Sequence, residues 1–196
     1  MRLGIFGGTF NPIHIGHLVL AECARAQARL DHVWFIPTAI PPHKPAPDVA
    51  PAEARLSMVR SAIRGHPAFR VHDMELRRGG ISYTLETLRM IRTRHPRATL
   101  FLIVGSDMLQ VPWYGLKEIA RECTFLVAPR HPAISHRRGV RVMTLAMPQI
   151  EISSSMIRER LRAGQSIRYL VPETVEREIR RHRLYARPSH MSHVKL

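Results

Sequence analysis

Two short stretches at opposite ends of the chain hold residues whose types and spacing could do chemistry. The first is Gly7-Gly8-Thr9-Phe10-Asn11-Pro12-Ile13-His14-Ile15-Gly16-His17. Two glycines let a backbone approach a phosphate closely. Unpaired N–H groups at a helix start, with the helix dipole behind them, favour an anion. His14 and His17 stand at the mouth of that arrangement, a layout that suits a nucleotide. The second stretch is Glu151-Ile152-Ser153-Ser154-Ser155-Met156-Ile157-Arg158. Its serines can cap a helix, whereas an arginine in the first turn opposes the helix dipole unless a bound anion relieves the conflict. On those preferences alone, a plain capped helix and a phosphate site stand level.

Elements that alternate between strand and helix must position both stretches. The apolar run Leu3 to Phe6 reads as a first strand and the proline-free Leu18 to Leu30 as a helix. His32 to Pro37 is a β-branched and aromatic strand stopped by proline. The proline-rich segment Thr38 to Pro51 reads as an exposed functional loop. Leu56, Val59 and Ile63 then mark an amphipathic helix over Glu53 to Arg64. Phe69 to His72 is a short strand, Arg77 to Gly80 a basic turn, and Ile81 to Thr84 the entry to a helix ending at His95-Pro96. Thr99 to Val104, the most apolar run, belongs at the centre of a parallel sheet. A short helical piece with Trp113-Tyr114 follows Gly105-Ser106-Asp107, then strands over Thr124 to Ala128 and Val140 to Leu145. The last chemical stretch opens a helix that stops at Gly164. Such alternation predicts an α/β fold, a Rossmann-like doubly wound three-layer α/β/α sandwich with a mainly parallel sheet. Ligands bind such sheets at the carboxyl ends of the strands, where the loops after Phe6, Pro37 and Val104 converge.

The chain has 196 residues, enough for one domain with a sizeable core, expected over 1–187 with a disordered tail over 188–196. No stretch reads as a transmembrane span or signal peptide, and Cys23 and Cys123 read as free buried thiols, so a cytoplasmic protein is expected. The formal net charge of +15 is carried mostly by arginine, since Lys44, Lys117 and Lys195 are the only lysines. It is compatible with nucleic acid, a membrane surface or small polyanions, but the arginines are scattered over many helices. A solvated basic surface is the plainer account. Single histidines such as His32, His66, His72 and His95 lack ligand spacing, and no metal site is expected.

The two stretches together resemble the HIGH-type nucleotidyltransferases, through His14-Ile15-Gly16-His17 and through Ile152 to Arg158, which is similar to their I-S-S-T-x-x-R signature. The likeness tightens to the bacterial nicotinate-nucleotide adenylyltransferases at Ile36-Pro37 with Pro41-Pro42-His43-Lys44, at Ser82-Tyr83-Thr84, at Gly105-Ser106-Asp107 and at Ser166 to Pro172. It runs in order from about Leu3 to Tyr185. Asn11 stands where many members have aspartate, and Ser155 where threonine is usual.

The resemblance implies transfer of the adenylyl group of ATP to the phosphate of nicotinate mononucleotide, with Mg²⁺ bound along with the ATP. It assigns Gly7, Gly8, Thr9, Phe10, Gly16, His17, Ile152, Ser154, Ser155 and Arg158 to ATP, with Gly105 and Asp107 at the adenosine. His14, His17, Lys44 and Arg158 become the catalytic groups, and Lys44 bridges the phosphates of the two substrates. The nicotinate nucleotide falls to Asn11, Lys44, Tyr83, Thr84, Trp113 and Arg130, with Trp113 stacking on the pyridine. Against this, Trp113 and Tyr114 could be surface packing and His43 a plain loop residue. No nucleic-acid or membrane partner is expected, and a homo-oligomer stays open. The rival substrates are the amide mononucleotide and phosphopantetheine. A basic nucleic-acid-binding module is the rival from another class, against which stand the paired phosphate loops and the absence of an aromatic, base-stacking sheet motif from this sequence.

Overall fold

Alternation of side chains along the central strands decides the layers of this protein, seen in a computed structural model that describes residues 1–41, 49–129 and 136–186. Strand β1 (Arg2–Gly8) sends Leu3 and Ile5 to one face and Phe6 to the other, all buried. The same split recurs in β2 (His32–Pro37), where Val33 and Phe35 oppose Trp34 and Ile36. It recurs again in β4 (Thr99–Gly105), with Phe101 and Ile103 against Leu100, Leu102 and Val104. With β3 (Phe69–Val71), β5 (Cys123–Ala128) and β6 (Val142–Thr144) these form one sheet in the order β3-β2-β1-β4-β5-β6. Every pairing is parallel. Buried on both faces, such strands need the continuous apolar runs that this chain supplies.

Helices cover both faces. Helices α1 (Ile15–Gln27), α2 (Ala52–Ala62), α6 (Ser154–Arg162) and α7 (Glu173–Arg181) place Ala21, Val59, Ile157 and Val175 on the Phe6–Phe35 side. Helices α4 (Thr84–Arg94) and α5 (Leu116–Glu122), with Met74 of the short α3 (Met74–Arg78), cover the Leu3–Ile36 side. The strand order turns back between β1 and β4, which opens a crevice at their carboxyl ends, the usual ligand position in this topology. Among the described residues no helix is long and apolar enough to cross a membrane. Cys23 and Cys123 are free thiols, and burial pushes that of Cys123 up to about 12.

Four local expectations are corrected. Strand β1 runs on through Gly7 and Gly8, which pair with Ile36 and Pro37, so the glycines end a strand and the turn begins at Thr9. Helix α1 starts at Ile15, earlier than the alanine-rich run suggested, so Gly16 and His17 lie inside its first turn. Of the basic turn expected over Arg77 to Gly80, Arg77 and Arg78 instead end a five-residue helix, α3, too short to show a period. Trp113 and Tyr114 lie between a 3₁₀ turn, Ser106–Leu109, and α5, not on a helix. Arg137, from an apparently solvated cluster, holds that segment by donating through Nη1 to the carbonyls of Leu109 and Val111, each at 2.7 Å.

Candidate active site

The turn after β1 is held by one aromatic ring. Phe10 adopts a positive φ of 46°, a conformation costing a non-glycine residue about 1–2 kcal/mol. Burial offsets that cost: the ring is 2% exposed, edge-on to Phe6 at 5.5 Å and against Phe35 at 5.9 Å. Gly8 makes room for it, since a Cβ there would stand 3.1 Å from the ring. Gly16 does the same for His14, whose Nδ1 would lie 3.1 Å from an added Cβ.

His14 is the N-cap of α1 and is buried. His17, one turn on, folds its ring back so that Nδ1 accepts the His14 N–H at 3.2 Å. A neutral imidazole accepting at Nδ1 carries its proton at Nε2, so the other edge of His17 is a donor. The two imidazoles lie face to face, 3.7 Å apart and tilted by 30°.

The second stretch meets the first through space. The Ser154 hydroxyl donates to the Pro12 carbonyl at 2.8 Å, and Arg158 Nη1 donates to the Asn11 carbonyl at 2.9 Å. Arg158 Nη2 reaches the Ser155 hydroxyl at 3.2 Å, while Nε is sealed with no acceptor among the described residues. Ser153 caps α6 by accepting the Met156 N–H at 3.1 Å. Because α6 opens at Ser154, Arg158 falls just beyond the first turn rather than within it, and its conflict with the dipole is weaker than the spacing suggested. Ile152, half-buried, packs on the core beside them.

Two residues that sequence reasoning missed brace this junction. Arg55 is 1% exposed, and its guanidinium serves three carbonyls: Ala50 at 3.0 Å, Thr9 at 2.9 Å and Thr38 at 2.8 Å. It thereby ties the loops after β1 and β2 together. Burial lowers its pKa from the ordinary arginine value. Its position beside Leu56, in register with Met58 and Val59 on α2, was the available signal: a cation on an apolar stripe. Tyr185, whose phenol burial pushes upward, donates to Asn11 Oδ1 at 2.8 Å. The Ala50 N–H donates to the same oxygen at 3.0 Å.

Three cavities meet at the histidines. A cleft of about 260 Å³ is lined by Thr9, Phe10, Asn11, His14, His17, Ser153 to Ser155 and Arg158. A second, of about 310 Å³, is lined by Gly7, Gly8, Thr9, His17, Tyr83, Thr84, Gly105 and Trp113, with Glu75 and Ser82 in its wall. A third, of about 330 Å³, lies between His14, Gly16, Leu20, Pro129, Gln149 and Ile150. Trp113 is fixed by its Nε1–H, which donates to the Met108 carbonyl at 2.7 Å, and by an edge contact with Phe125 at 5.7 Å. Tyr83 packs on the exposed Tyr114 at 4.7 Å, and both line this cavity with Trp113.

Gly105 therefore keeps company with the residues assigned to the nicotinate nucleotide, and Asp107 is exposed and lines none of the three cavities. Lys44 and Arg130, together with Pro42, His43 and the tail over 188–196, lie outside the described residues. Of the single histidines, His72 stacks on Trp34 at 3.8 Å and His66 on Phe69 at 3.6 Å. Among the described residues no group of three His, Cys, Asp or Glu side chains is placed to hold a metal ion.

A parallel sheet in this order, with an anion-ready helix start and a basic second helix closing on it, defines a nucleotidyltransferase-like site. The model of the cytidylyltransferase-like family matches residues 5–160. A protein named probable nicotinate-nucleotide adenylyltransferase from Salinibacter ruber is 47% identical over 191 residues, covering 94% of this chain and 98% of its own. One of the same name from Geobacillus thermodenitrificans is 42% identical over 186 residues, covering 94% and 86%. The chain belongs to the cytidylyltransferase-like family and, within it, to the nicotinate-nucleotide adenylyltransferases. The fold agrees: a Plasmodium falciparum nicotinic acid mononucleotide adenylyltransferase complexed with NaAD superposes with a TM-score of 0.80 at 18% identity, covering 94% of this chain and 97% of that one.

Proposed function

We propose that the protein transfers the adenylyl group of ATP to the 5′-phosphate of nicotinate mononucleotide, giving nicotinate adenine dinucleotide and pyrophosphate. The observation that carries this reading is that His17 lines both the serine–arginine cleft and the Trp113 cavity. Transfer requires the α-phosphate of one nucleotide to meet the phosphate of the other, and His17 stands where the two spaces join. The attacking phosphate is largely ionised at neutral pH, so the protein's task is positioning and charge stabilisation without a covalent intermediate. His17 donates from Nε2 to the transferring phosphoryl oxygens. Arg158 and the α6 start, Ser154 and Ser155, hold the phosphates that leave. The cavity beside Gly16 and Ile150 receives the adenine, and Trp113 with the start of α4 at Thr84 receives the pyridine. Lys44 and Arg130 supply further positive charge to the phosphates. Mg²⁺ enters as part of the ATP substrate and neutralises charge on its phosphates.

Residues 1–187 act as one catalytic unit in the cytoplasm in this reading, with no nucleic acid or membrane involved, and assembly of copies is left to measurement. The test is pyrophosphate release with ATP and Mg²⁺ and, in turn, nicotinate mononucleotide, its amide and phosphopantetheine. Fastest turnover with a pyridine mononucleotide is expected. Turnover with phosphopantetheine alone, or salt-sensitive RNA binding without pyrophosphate release, overturns the reading.

A further inference from the structure

One buried acid of the Trp113 cavity has no role in the reaction as proposed. Glu75, the second residue of α3, is 4% exposed and forms part of the wall that Tyr83, Thr84 and Trp113 complete. Its Oε1 accepts the Thr87 hydroxyl at 2.6 Å, while Oε2 is sealed with no hydrogen-bond partner among the described residues. The groups around it can be named. On α3, Arg78 is paired with Glu86 of α4 at 3.2 Å. From α4 and the segment before it come the hydroxyls of Thr87 and Ser82. His17 and the phenols of Tyr83 and Tyr114 line the same cavity. The Arg78 guanidinium is therefore already engaged by another carboxylate, and Glu75 forms no ion pair of its own among the described residues. Ionising a carboxyl in such a place is costly. Burial pushes its pKa above the ordinary carboxylate range, opposed by the nearby Thr87 and Ser82 hydroxyls and by Arg78, with Glu86 adding to the rise.

We propose that Glu75 determines whether this cavity prefers a pyridine acid or its amide, acting through its charge and not by contact. The inference rests on the reading that the cavity takes a pyridine nucleotide. A nicotinate carboxylate brings a negative charge into a space of low dielectric, and the amide does not. When Glu75 is protonated, the acid meets a neutral wall and the free N–H groups at the start of α4. When Glu75 is ionised, two carboxylates share one secluded site, and binding the acid requires a proton from solvent to settle on Glu75. No covalent bond changes. Preference for the acid therefore falls as pH rises through the titration of Glu75.

The test is the ratio of kcat/KM for nicotinate mononucleotide to that for its amide, measured by pyrophosphate release from mildly acidic to alkaline pH. The 5′-phosphate titrates in both substrates and cancels in the ratio. In the wild-type protein the ratio is expected to fall by about tenfold or more, the equivalent of one pKa unit of coupling. In Glu75→Gln, which keeps an acceptor for Thr87 but cannot ionise, the ratio should stay flat at its low-pH value. At a pH where Glu75 is ionised, calorimetry in two buffers of different ionisation heat should show more proton uptake with the acid than with the amide. A flat wild-type ratio overturns the inference without reference to any variant, and so does a Glu75→Gln ratio that follows the wild-type curve. Absence of turnover with either pyridine nucleotide, beside turnover with another acceptor, instead overturns the proposed function and takes this inference with it.

Discussion

The hydroxyl of Tyr185 donates to Oδ1 of Asn11 at 2.8 Å, joining the end of the described chain to the turn that begins the candidate site, 174 positions earlier. Asn11 is 5% exposed, and the same oxygen accepts the Ala50 N–H at 3.0 Å. An amide oxygen accepts both donors without placing a charge at this turn. Removing the phenol as Tyr185→Phe should cost about 1 kcal/mol of stability, the usual net worth of one hydrogen bond. Denaturant unfolding measures that loss. A rise in the KM for ATP should accompany it, because Arg158 is anchored on the Asn11 carbonyl.

Arg55 braces the loops after β1 and β2 through three carbonyls. Arg55→Met should destabilise the fold by about 2–4 kcal/mol, since buried acceptors are stripped of their donors. Arg55→Lys should recover only part of this, because an ammonium lacks the planar fork. Urea midpoints for the three proteins check the order wild type, Lys, Met.

Gly16 tests stability against activity in opposite directions. Alanine inside a helix is favoured over glycine by up to about 1 kcal/mol, so Gly16→Ala should not lower Tm through propensity. Its Cβ would stand 3.1 Å from the His14 ring, which must shift. Turnover should fall by about tenfold or more while Tm holds, consistent with the cost of small displacements in positioned sites. Unchanged turnover would remove His14 from the working geometry.

Glu75 also leaves a mark on stability. Its folded pKa is raised by burial, so the folded protein holds the proton more tightly than the unfolded chain does. Its contribution is therefore fully present below the unfolded carboxyl value and is lost as pH rises through the folded one. Glu75→Gln should match wild type in Tm under acid conditions and exceed it at alkaline pH. A wild-type advantage that grows with pH contradicts this sign.

Much of the fold was legible because sheet burial leaves a strong signal. Thr99 to Val104 could hardly be anything but a central strand, and β2 ended at the proline that ended its pattern. The boundaries that went astray have physical reasons. Gly7 and Gly8 look like a turn, yet the sheet recruits them because β2 extends alongside as far as Pro37. Helix α1 starts early because His17 caps it from inside, and no serine, threonine or aspartate announces that start. In the site, His14, His17 and the serine–arginine stretch were readable as types at a spacing. Arg55, Tyr185 and Glu75 were not, because each acquires its meaning from partners distant in sequence. The carbonyls that anchor Arg158 and Ser154 were hidden for the same reason.

The most direct measurement separates the two nitrogens of His17. His17→Asn keeps an acceptor near Nδ1 for the His14 N–H but removes the Nε2 donor, whereas His17→Gln restores an N–H close to Nε2. Pyrophosphate release from ATP and nicotinate mononucleotide should fall by about 10²–10³ in kcat for Asn, the usual loss of one donor to developing charge. Gln should recover part of that loss, and the Tm of both variants should stay near wild type. Near-normal turnover by a folded His17→Asn protein would contradict the account, because the donor at the meeting point of the two cavities would then be dispensable.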